Sequence, residues 1–223
     1  TYNVLQAARE LKTQKVIHTS TSEIYGTAQY VPIDEKHPVN PQSPYAATKS
    51  GADQLVLTFY RSFGLPVAVI RPFNTFGPRQ SARAVIPTII SQLLAGNKSI
   101  KLGNIEATRD MNYVLNTCEG FCQVGLHENS TGEVINLGSN REISIKDLAE
   151  LIADLMNKEL EIEIDDRRIR PEKSEVERLL CDSSKAKELT GWEPRHTLEE
   201  GLKETITWLE EHMENYKPDI YNV

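Results

Sequence analysis

The chain has 223 residues, of which 39% are hydrophobic and 26% charged, so it can bury a sizeable core and does not have the composition of a disordered protein. Its net charge of −7 argues against nucleic-acid binding, and a phosphate-bearing ligand would need a local cluster of arginines. No apolar run approaches the roughly 20 residues of a membrane span, no secretion signal is recognisable, and three cysteines do not suggest a disulfide framework, so we expect a cytoplasmic protein.

The first part of the chain predicts alternating helices and strands. Apolar residues in 1–12 recur at helical spacing, and 15–20 reads as a short strand rich in β-branched residues. After a proline-rich loop, Ser43 as N-cap and Gly64 as stop predict a long helix with an apolar stripe between them. The apolar run 67–70 predicts a buried strand. Strand, helix and strand in this order predict a right-handed βαβ unit with parallel strands.

The remainder of the chain predicts a less regular mixture of helices and strands. The apolar pattern predicts helices at 84–95 and 115–126, a strand at 134–137, a helix capped by Ser144 and Asp147, an edge strand at 159–164, and a final helix capped by Thr197 with Glu200 and extending to about 212. The whole pattern predicts an α/β fold with a parallel βαβ unit and a less regular mixed α/β lobe.

Polar residues follow both strands of the predicted βαβ unit. Residues 20–23 come directly after the first strand, and 71–74 come after the second. In open parallel sheets, ligands bind beyond the carboxyl ends of the strands. The connecting helix starts near Tyr45 at that same edge, so we expect the three segments to meet there.

Tyr45 and Lys49 lie one helical turn apart, on the side of the helix that also carries Ala52, Val56 and Phe63. A phenol beside an ammonium group is a plausible acid or base, because the positive charge stabilises the phenolate. A core tyrosine with a lysine that reaches solvent is the alternative interpretation.

Several motifs together resemble the extended short-chain dehydrogenase/reductase family, the NAD-dependent epimerases and dehydratases of nucleotide sugars. These motifs are STSEIYG at 20–26, SPYAATK at 43–49, RPFNTFGPR at 71–79, TRD at 108–110 followed by YV at 113–114, NLG at 136–138 and KELTGWEP at 187–194. The resemblance covers nearly the whole chain in the family's order. Residues 27–38, 80–87 and 174–179 are most similar to the nucleotide-diphospho-N-acetylglucosamine 4,6-dehydratases of the legionaminic-acid pathway.

The resemblance implies a 4,6-dehydratase. Glu23 favours this reaction, because epimerases usually carry no carboxylate at its position. Tyr45, supported by Lys49, would take the proton of the sugar 4-hydroxyl while NAD accepts hydride from C4. Glu23 would then remove the C5 proton, water would leave from C6, and hydride would return to C6. Thr21 would bind the sugar O4. Ser22 stands where glucose-type dehydratases carry Asp, which leaves the proton donor to the departing water open.

The resemblance also implies binding residues. It assigns NAD to Ser20, Tyr45, Lys49 and Pro72, and the nucleotide-diphosphate sugar to Asn74, Arg83, Val85, Arg109 and Arg170. It implies an α/β fold that is the C-terminal part of a doubly wound parallel (Rossmann-like) sheet with a smaller mixed α/β substrate lobe. The remaining part of the NAD-binding Rossmann domain would be 1–83, and 84–223 would be mainly the nucleotide-sugar-binding lobe, from which the strand near 134–137 returns to the Rossmann sheet. We expect no metal site, no membrane partner, and a homodimer formed through the helix that carries Tyr45.

Two further classes of function remain open. A UDP-glucuronate decarboxylase or a nucleotide-sugar 4-epimerase would share most of these motifs, and a non-catalytic nucleotide-sugar-binding or assembly module would keep only the binding site. The family's Gly-x-x-Gly-x-x-Gly turn does not precede Thr1. We therefore expect an N-terminally truncated enzyme with an open first strand, which binds NAD weakly or not at all.

Three other features have simpler interpretations. Cys118 and Cys122, four residues apart on a helix, are expected to serve helix packing and not metal binding. His18 is expected to be a core histidine with its hydrogen bonds satisfied, and 165–168 a solvated charged loop.

Overall fold

A three-stranded parallel sheet joins two strands from the first part of the chain with one from the second part. The computed structural model describes residues 1–169, 171 and 175–216. β1 (Val16–Thr19), β2 (Val67–Pro72) and β6 (Val134–Leu137) pair in the order β1-β2-β6. α2 (Pro44–Phe63) connects β1 to β2. The predicted βαβ unit and the α/β fold class are confirmed.

Helices cover both faces of this sheet because alternate residues of β2 point to opposite sides. Val67 and Val69 pack with α1 (Tyr2–Glu10) and α2, whereas Ala68 and Ile70 pack with residues of α4 (Val114–Leu126) and α6 (Ser184–Thr190). All four β2 residues are fully buried, as their continuous apolar run predicts. This burial fixes the register in which Arg71 at the end of β2 faces Asn136 of β6.

A second group of strands and helices packs around the largest apolar cluster of the described residues. Its elements are β3 (Asn74–Phe76), α3 (Val85–Leu94), β4 (Ser99–Leu102), β5 (Thr108–Tyr113), β7 (Glu142–Ser144), α5 (Ile145–Leu155), β8 (Glu161–Ile164) and α7 (Leu198–Glu211). β5 pairs in parallel with β3 and antiparallel with β7, while β4 and β8 form a parallel pair. The helices α3, α5 and α7 supply most of the buried aliphatic side chains.

Local capping explains where the helices begin and end. The Ser43 hydroxyl accepts a hydrogen bond from the Ala46 N–H at 3.1 Å, and Gly64 ends α2 with a φ of +66°. Thr197 and Glu200 form a reciprocal capping box at the start of α7. These predicted caps are confirmed. Among the described residues, no helix is both long enough and apolar enough to cross a bilayer.

Three expectations about individual side chains need correction. Cys118 and Cys122 are both exposed, so they do not pack within the chain, because α4 turns its opposite side to the sheet. The run 165–168 is not a purely solvated loop: Asp165 is only 9% exposed and pairs with Arg167 and Arg168. The His18 Nε2 lies 3.4 Å from Asp53 Oδ1 but makes no hydrogen bond within the described residues, so it is not satisfied.

Candidate active site

A short 3-10 turn, Ser22–Tyr25, follows β1 and carries Glu23. The Thr21 hydroxyl accepts a hydrogen bond from the Glu23 N–H at 3.3 Å. Gly26 ends the turn with a φ of +66°, and a Cβ there would lie 2.4 Å from the Asn40 carbonyl oxygen, so only glycine fits. Ser22 is buried, whereas Thr21 and Glu23 are half-buried and remain accessible. The turn therefore fixes the backbone of Glu23 at the carboxyl end of β1.

Tyr45 and Lys49 begin the helix that packs on this turn. The Lys49 ammonium donates a hydrogen bond to the Thr19 carbonyl oxygen at 2.8 Å, and its Nζ is 6.0 Å from the centroid of the Tyr45 ring. Tyr45 is 52% exposed, which excludes the alternative of a core tyrosine. The Lys49 hydrogen bond therefore connects the start of α2 to the last residue of β1, and the exposed Tyr45 phenol is accessible to a ligand.

A chain of buried polar groups lies beneath the turn and the helix. Arg71 donates from Nε to Asp53 Oδ2 at 3.1 Å and from Nη1 to the Tyr25 hydroxyl at 2.9 Å, and Tyr25 in turn donates to Asn136 Oδ1 at 2.8 Å. Burial raises the pKa of Tyr25 to about 12, so this tyrosine is neutral at physiological pH. These hydrogen bonds join the 3-10 turn to both β2 and α2.

A cavity of about 310 Å³ opens beyond β2, between β3, β5 and α3. Four of the residues assigned to the nucleotide sugar line it together: Asn74, Arg83, Val85 and Arg109. The fifth, Arg170, lies outside the described residues. Pro72, assigned to NAD, is half-buried at the end of β2, two residues before Asn74. The segment 72–74 therefore connects the edge that carries Glu23 and Tyr45 to the cavity.

Three further cavity residues were not singled out from the sequence: Gln80, Arg168 and Glu175. Gln80 and Glu175 lie within 80–87 and 174–179, the stretches whose similarity indicated one subgroup of the family, and that similarity was the available signal. Arg168 was missed because it belongs to the charged run at 165–168, which we expected to be solvated. The Arg109 Nη2 lies 3.3 Å from Glu175 Oε1, and Arg168 Nε donates to Asp165 Oδ2 at 3.3 Å, so acidic groups partly balance the arginines.

Asp110 is the next residue after Arg109, and it is fully buried behind the cavity wall. Its carboxylate accepts hydrogen bonds from the backbone N–H groups of Ser139, Asn140 and Cys181 and from the Ser139 hydroxyl. Burial raises the pKa of Asp110 to about 6, and these hydrogen bonds act in the opposite direction. Asp110 thus holds the turn after β6 and the segment around Cys181 against β5.

The described residues contain no group of three or more His, Cys, Asp or Glu side chains that could hold a metal ion. Both exposed cysteines of α4 therefore lack further ligands within this part of the chain.

Residues 1–205 match the family described as GDP-mannose 4,6 dehydratase. The chain belongs to this family. The resemblance to the NAD-dependent epimerases and dehydratases, read from the motifs, is confirmed at the level of the family. The roles of the individual site residues stay predictions.

Relatives within the family include both dehydratases and epimerases. The human dTDP-D-glucose 4,6-dehydratase is 34% identical over 97% of this chain, which spans 62% of the length of that relative. A solved dTDP-glucose 4,6-dehydratase from Bacillus anthracis, in complex with NAD, superimposes with a TM-score of 0.85 at 32% identity, covering 96% of this chain and 68% of its own. A UDP-N-acetylglucosamine 4-epimerase from Methanobrevibacter ruminantium superimposes with a TM-score of 0.87 at 30% identity, covering 95% and 68%.

Proposed function

We propose that the protein containing this chain is an NAD-dependent nucleotide-sugar 4,6-dehydratase acting on a UDP- or GDP-N-acetylglucosamine. The position of Glu23 carries this proposal: a half-buried carboxylate stands on a fixed turn at the same sheet edge as Tyr45 and Lys49. An enzyme that only oxidises and re-reduces C4 has no use for a second base there. The N-acetylglucosamine substrate rests on the similarity of 27–38, 80–87 and 174–179 to one subgroup.

The end of β1 fits the nicotinamide half of the cofactor. The Ser20 hydroxyl is buried and has no hydrogen-bond partner among the described residues, so it can accept or donate to a ligand. Ser20, Tyr45, Lys49 and Pro72 would hold NAD at this edge. When bound, NAD supplies a hydride acceptor for C4 and the hydride that C6 receives.

The side chains of this chain would move the protons. Tyr45 takes the proton of the sugar 4-hydroxyl, with Lys49 stabilising the phenolate, and the Thr21 hydroxyl donates a hydrogen bond to O4. A ketone at C4 makes the C5 proton acidic, so the Glu23 carboxylate would remove it and the C6 hydroxyl would take up a proton and leave as water. The two protons taken by Tyr45 and Glu23 equal the one that this water requires and the one that C5 regains when hydride returns to C6. Ser22 is buried in the turn, and its proposed role is to support the position of Glu23.

The cavity would hold the nucleotide-diphosphate part of the substrate and its sugar. Arg83 and Arg109 line it and suit phosphate oxygens, because a guanidinium group donates two parallel hydrogen bonds to such a group. Arg170 is proposed to join them, and Val85 to pack against the ligand. This local arginine cluster is the feature that an acidic chain requires for a phosphate-bearing ligand.

Substitution of the proposed base tests the function. In the protein as its gene encodes it, supplied with NAD, Glu23→Gln should lower formation of the 4-keto-6-deoxy sugar by about 100-fold or more, since a positioned base contributes about 10²–10⁴-fold. Binding of NAD and substrate should be retained. Glu210→Gln, an exposed residue of α7, is the matched control and should leave the rate unchanged. Normal turnover by the Glu23 variant would show that another group is the base.

A 4-epimerase is the second candidate, and the observation favouring it is the M. ruminantium epimerase, which superimposes as well as the dehydratase does. Product analysis of the unsubstituted protein distinguishes the two, because an epimerase yields a sugar that keeps its 6-oxygen. Decarboxylation would release carbon dioxide from a UDP-glucuronate, and a non-catalytic binding module would bind nucleotide sugars without forming any product.

We also propose that the protein is a cytoplasmic homodimer. Exposed apolar side chains on α1 and α2, among them Tyr2, Tyr60 and Phe63, support an interface formed by these two helices. The cysteines Cys118, Cys122 and Cys181 are all free thiols, which is usual in a reducing compartment.

A further inference from the structure

The Tyr25 hydroxyl attaches the turn that carries Glu23 to two strands of the sheet. It accepts a hydrogen bond from Arg71 Nη1 on β2 at 2.9 Å and donates one to Asn136 Oδ1 on β6 at 2.8 Å. Tyr25 is fully buried. Within the described part of the chain, it is the only residue of the turn Ser22–Tyr25 whose side chain makes a hydrogen bond. The side-chain attachment of the turn to the sheet therefore depends on this hydroxyl.

The helix that carries the proposed proton acceptor is held by contacts that do not include Tyr25. Lys49 of α2 donates a hydrogen bond to the Thr19 carbonyl oxygen at 2.8 Å. Asp53 of the same helix accepts one from Arg71 Nε at 3.1 Å. Both hydrogen bonds connect α2 to the sheet, and neither uses the Tyr25 hydroxyl. Removal of that hydroxyl should therefore loosen the turn and leave α2 in place.

We propose that Tyr25 is a positioning residue for the proposed base: its hydroxyl holds the turn in the orientation that lets Glu23 reach the C5 proton. The inference rests on the proposed function, since it assumes that Glu23 removes this proton. A base must lie within hydrogen-bond reach of the proton it takes, and a misplacement of about 1 Å can lower a rate about 100-fold. Without the hydroxyl, oxidation at C4 continues and removal of the C5 proton slows.

Tyr25→Phe tests the proposal, because it removes the hydroxyl and keeps the ring that contacts His37 edge to face, with centroids 5.4 Å apart. The protein as its gene encodes it is supplied with NAD and with UDP- or GDP-N-acetylglucosamine in single turnovers. Stopped-flow absorbance follows the reduced cofactor that C4 oxidation forms, and quenched samples give the 4-keto-6-deoxy sugar. We expect an unchanged rate constant for C4 oxidation and a rate constant for elimination that is lower by about 10-fold or more.

Two further measurements distinguish positioning from a general loss of stability. Single-turnover rate constants do not depend on the fraction of folded protein, so destabilisation alone changes neither of them. Deuterium at C5 of the sugar should slow the elimination phase of Tyr25→Phe, because removal of this proton limits that phase. Tyr113→Phe is the matched control: it removes a buried tyrosine's hydroxyl, which donates to Glu204 on α7 at 2.6 Å, and should change neither rate constant.

The outcomes separate the inference from the proposed function. Equal slowing of both steps, no slowing of either, or a slowed phase that is insensitive to deuterium at C5 overturns the role of Tyr25 and leaves the proposed function intact. Failure of the unsubstituted protein to form a 4-keto-6-deoxy sugar overturns both.

Asn136→Ala provides the test if Tyr25→Phe does not fold. It removes the acceptor of the Tyr25 hydroxyl and keeps the hydrogen bond from Arg71. The space that it leaves beside the hydroxyl and the Ile33 carbonyl is polar and suits a water molecule, which holds the hydroxyl less rigidly than the carboxamide does. We expect elimination to slow while C4 oxidation is unchanged. Equal rates in this variant and the unsubstituted protein would show that the hydroxyl does not position Glu23.

Discussion

At the residue scale, Asp110 shows how one buried carboxylate can hold two distant segments beside a ligand cavity. Its four hydrogen bonds join Ser139 and Asn140 after β6 and Cys181 after the second lobe's last strand. The sequence does not predict that Asp110 connects these segments. Asp110 and Asn112 are fully buried in β5, so this strand lacks the apolar pattern by which strands are recognised.

The raised pKa of Asp110 predicts a specific pH dependence of stability. Because its pKa is about 6 in the folded protein and near 3.8 when unfolded, the folded state binds more protons between these values. Lowering the pH from 7 to 4.5 should therefore stabilise the native protein relative to Asp110→Asn, by at most ~3 kcal/mol. Urea denaturation of both proteins at several pH values measures this difference. A constant difference across that range would show that Asp110 does not titrate as described.

At the element scale, hydrogen bonds among Asp53, Arg71 and Tyr25 connect α2, β2 and the 3-10 turn. These three elements carry proposed site residues: Tyr45 on α2, Pro72 on β2 and Glu23 on the turn. Asp53 lies eight residues after Tyr45, about 80° around α2 from it, and it is fully buried whereas Tyr45 is 52% exposed. Its pairing with Arg71 depends on how α2 packs across the sheet, which the sequence does not predict.

Removal of Asp53 should be severely destabilising. Asp53→Ala leaves the Arg71 guanidinium buried without a counterion, and breaking such a pair typically costs about 3–5 kcal/mol. Asp154→Ala removes an exposed carboxylate from α5 and should change the free energy of unfolding by less than about 0.5 kcal/mol. Urea denaturation compares the two variants. Similar, small losses in both would mean that the buried pair does not hold these elements together.

At the scale of the whole molecule, the predictable part of the fold is the part that local patterns specify. The apolar run of β2, the caps of α2 and α7 and the βαβ order are all visible in short stretches of sequence. The pairings of β3, β5 and β7, and of β4 with β8, join segments distant in the chain and were not predicted. Arg168 enters the cavity only through such long-range packing, whereas Asn74 and Arg109 were found from their motifs.

The central claim is that Tyr45 and Glu23 act on neighbouring carbons of one sugar: Tyr45 takes the proton of the 4-hydroxyl, and Glu23 removes the proton of C5. The most direct test supplies the protein, as its gene encodes it, with NAD and a nucleotide sugar deuterated at C4, and follows the product by NMR. We expect a 4-keto-6-deoxy sugar whose methyl group carries the deuterium from C4. Deuterium retained at C4, in a sugar that keeps its 6-oxygen, would contradict the proposed elimination.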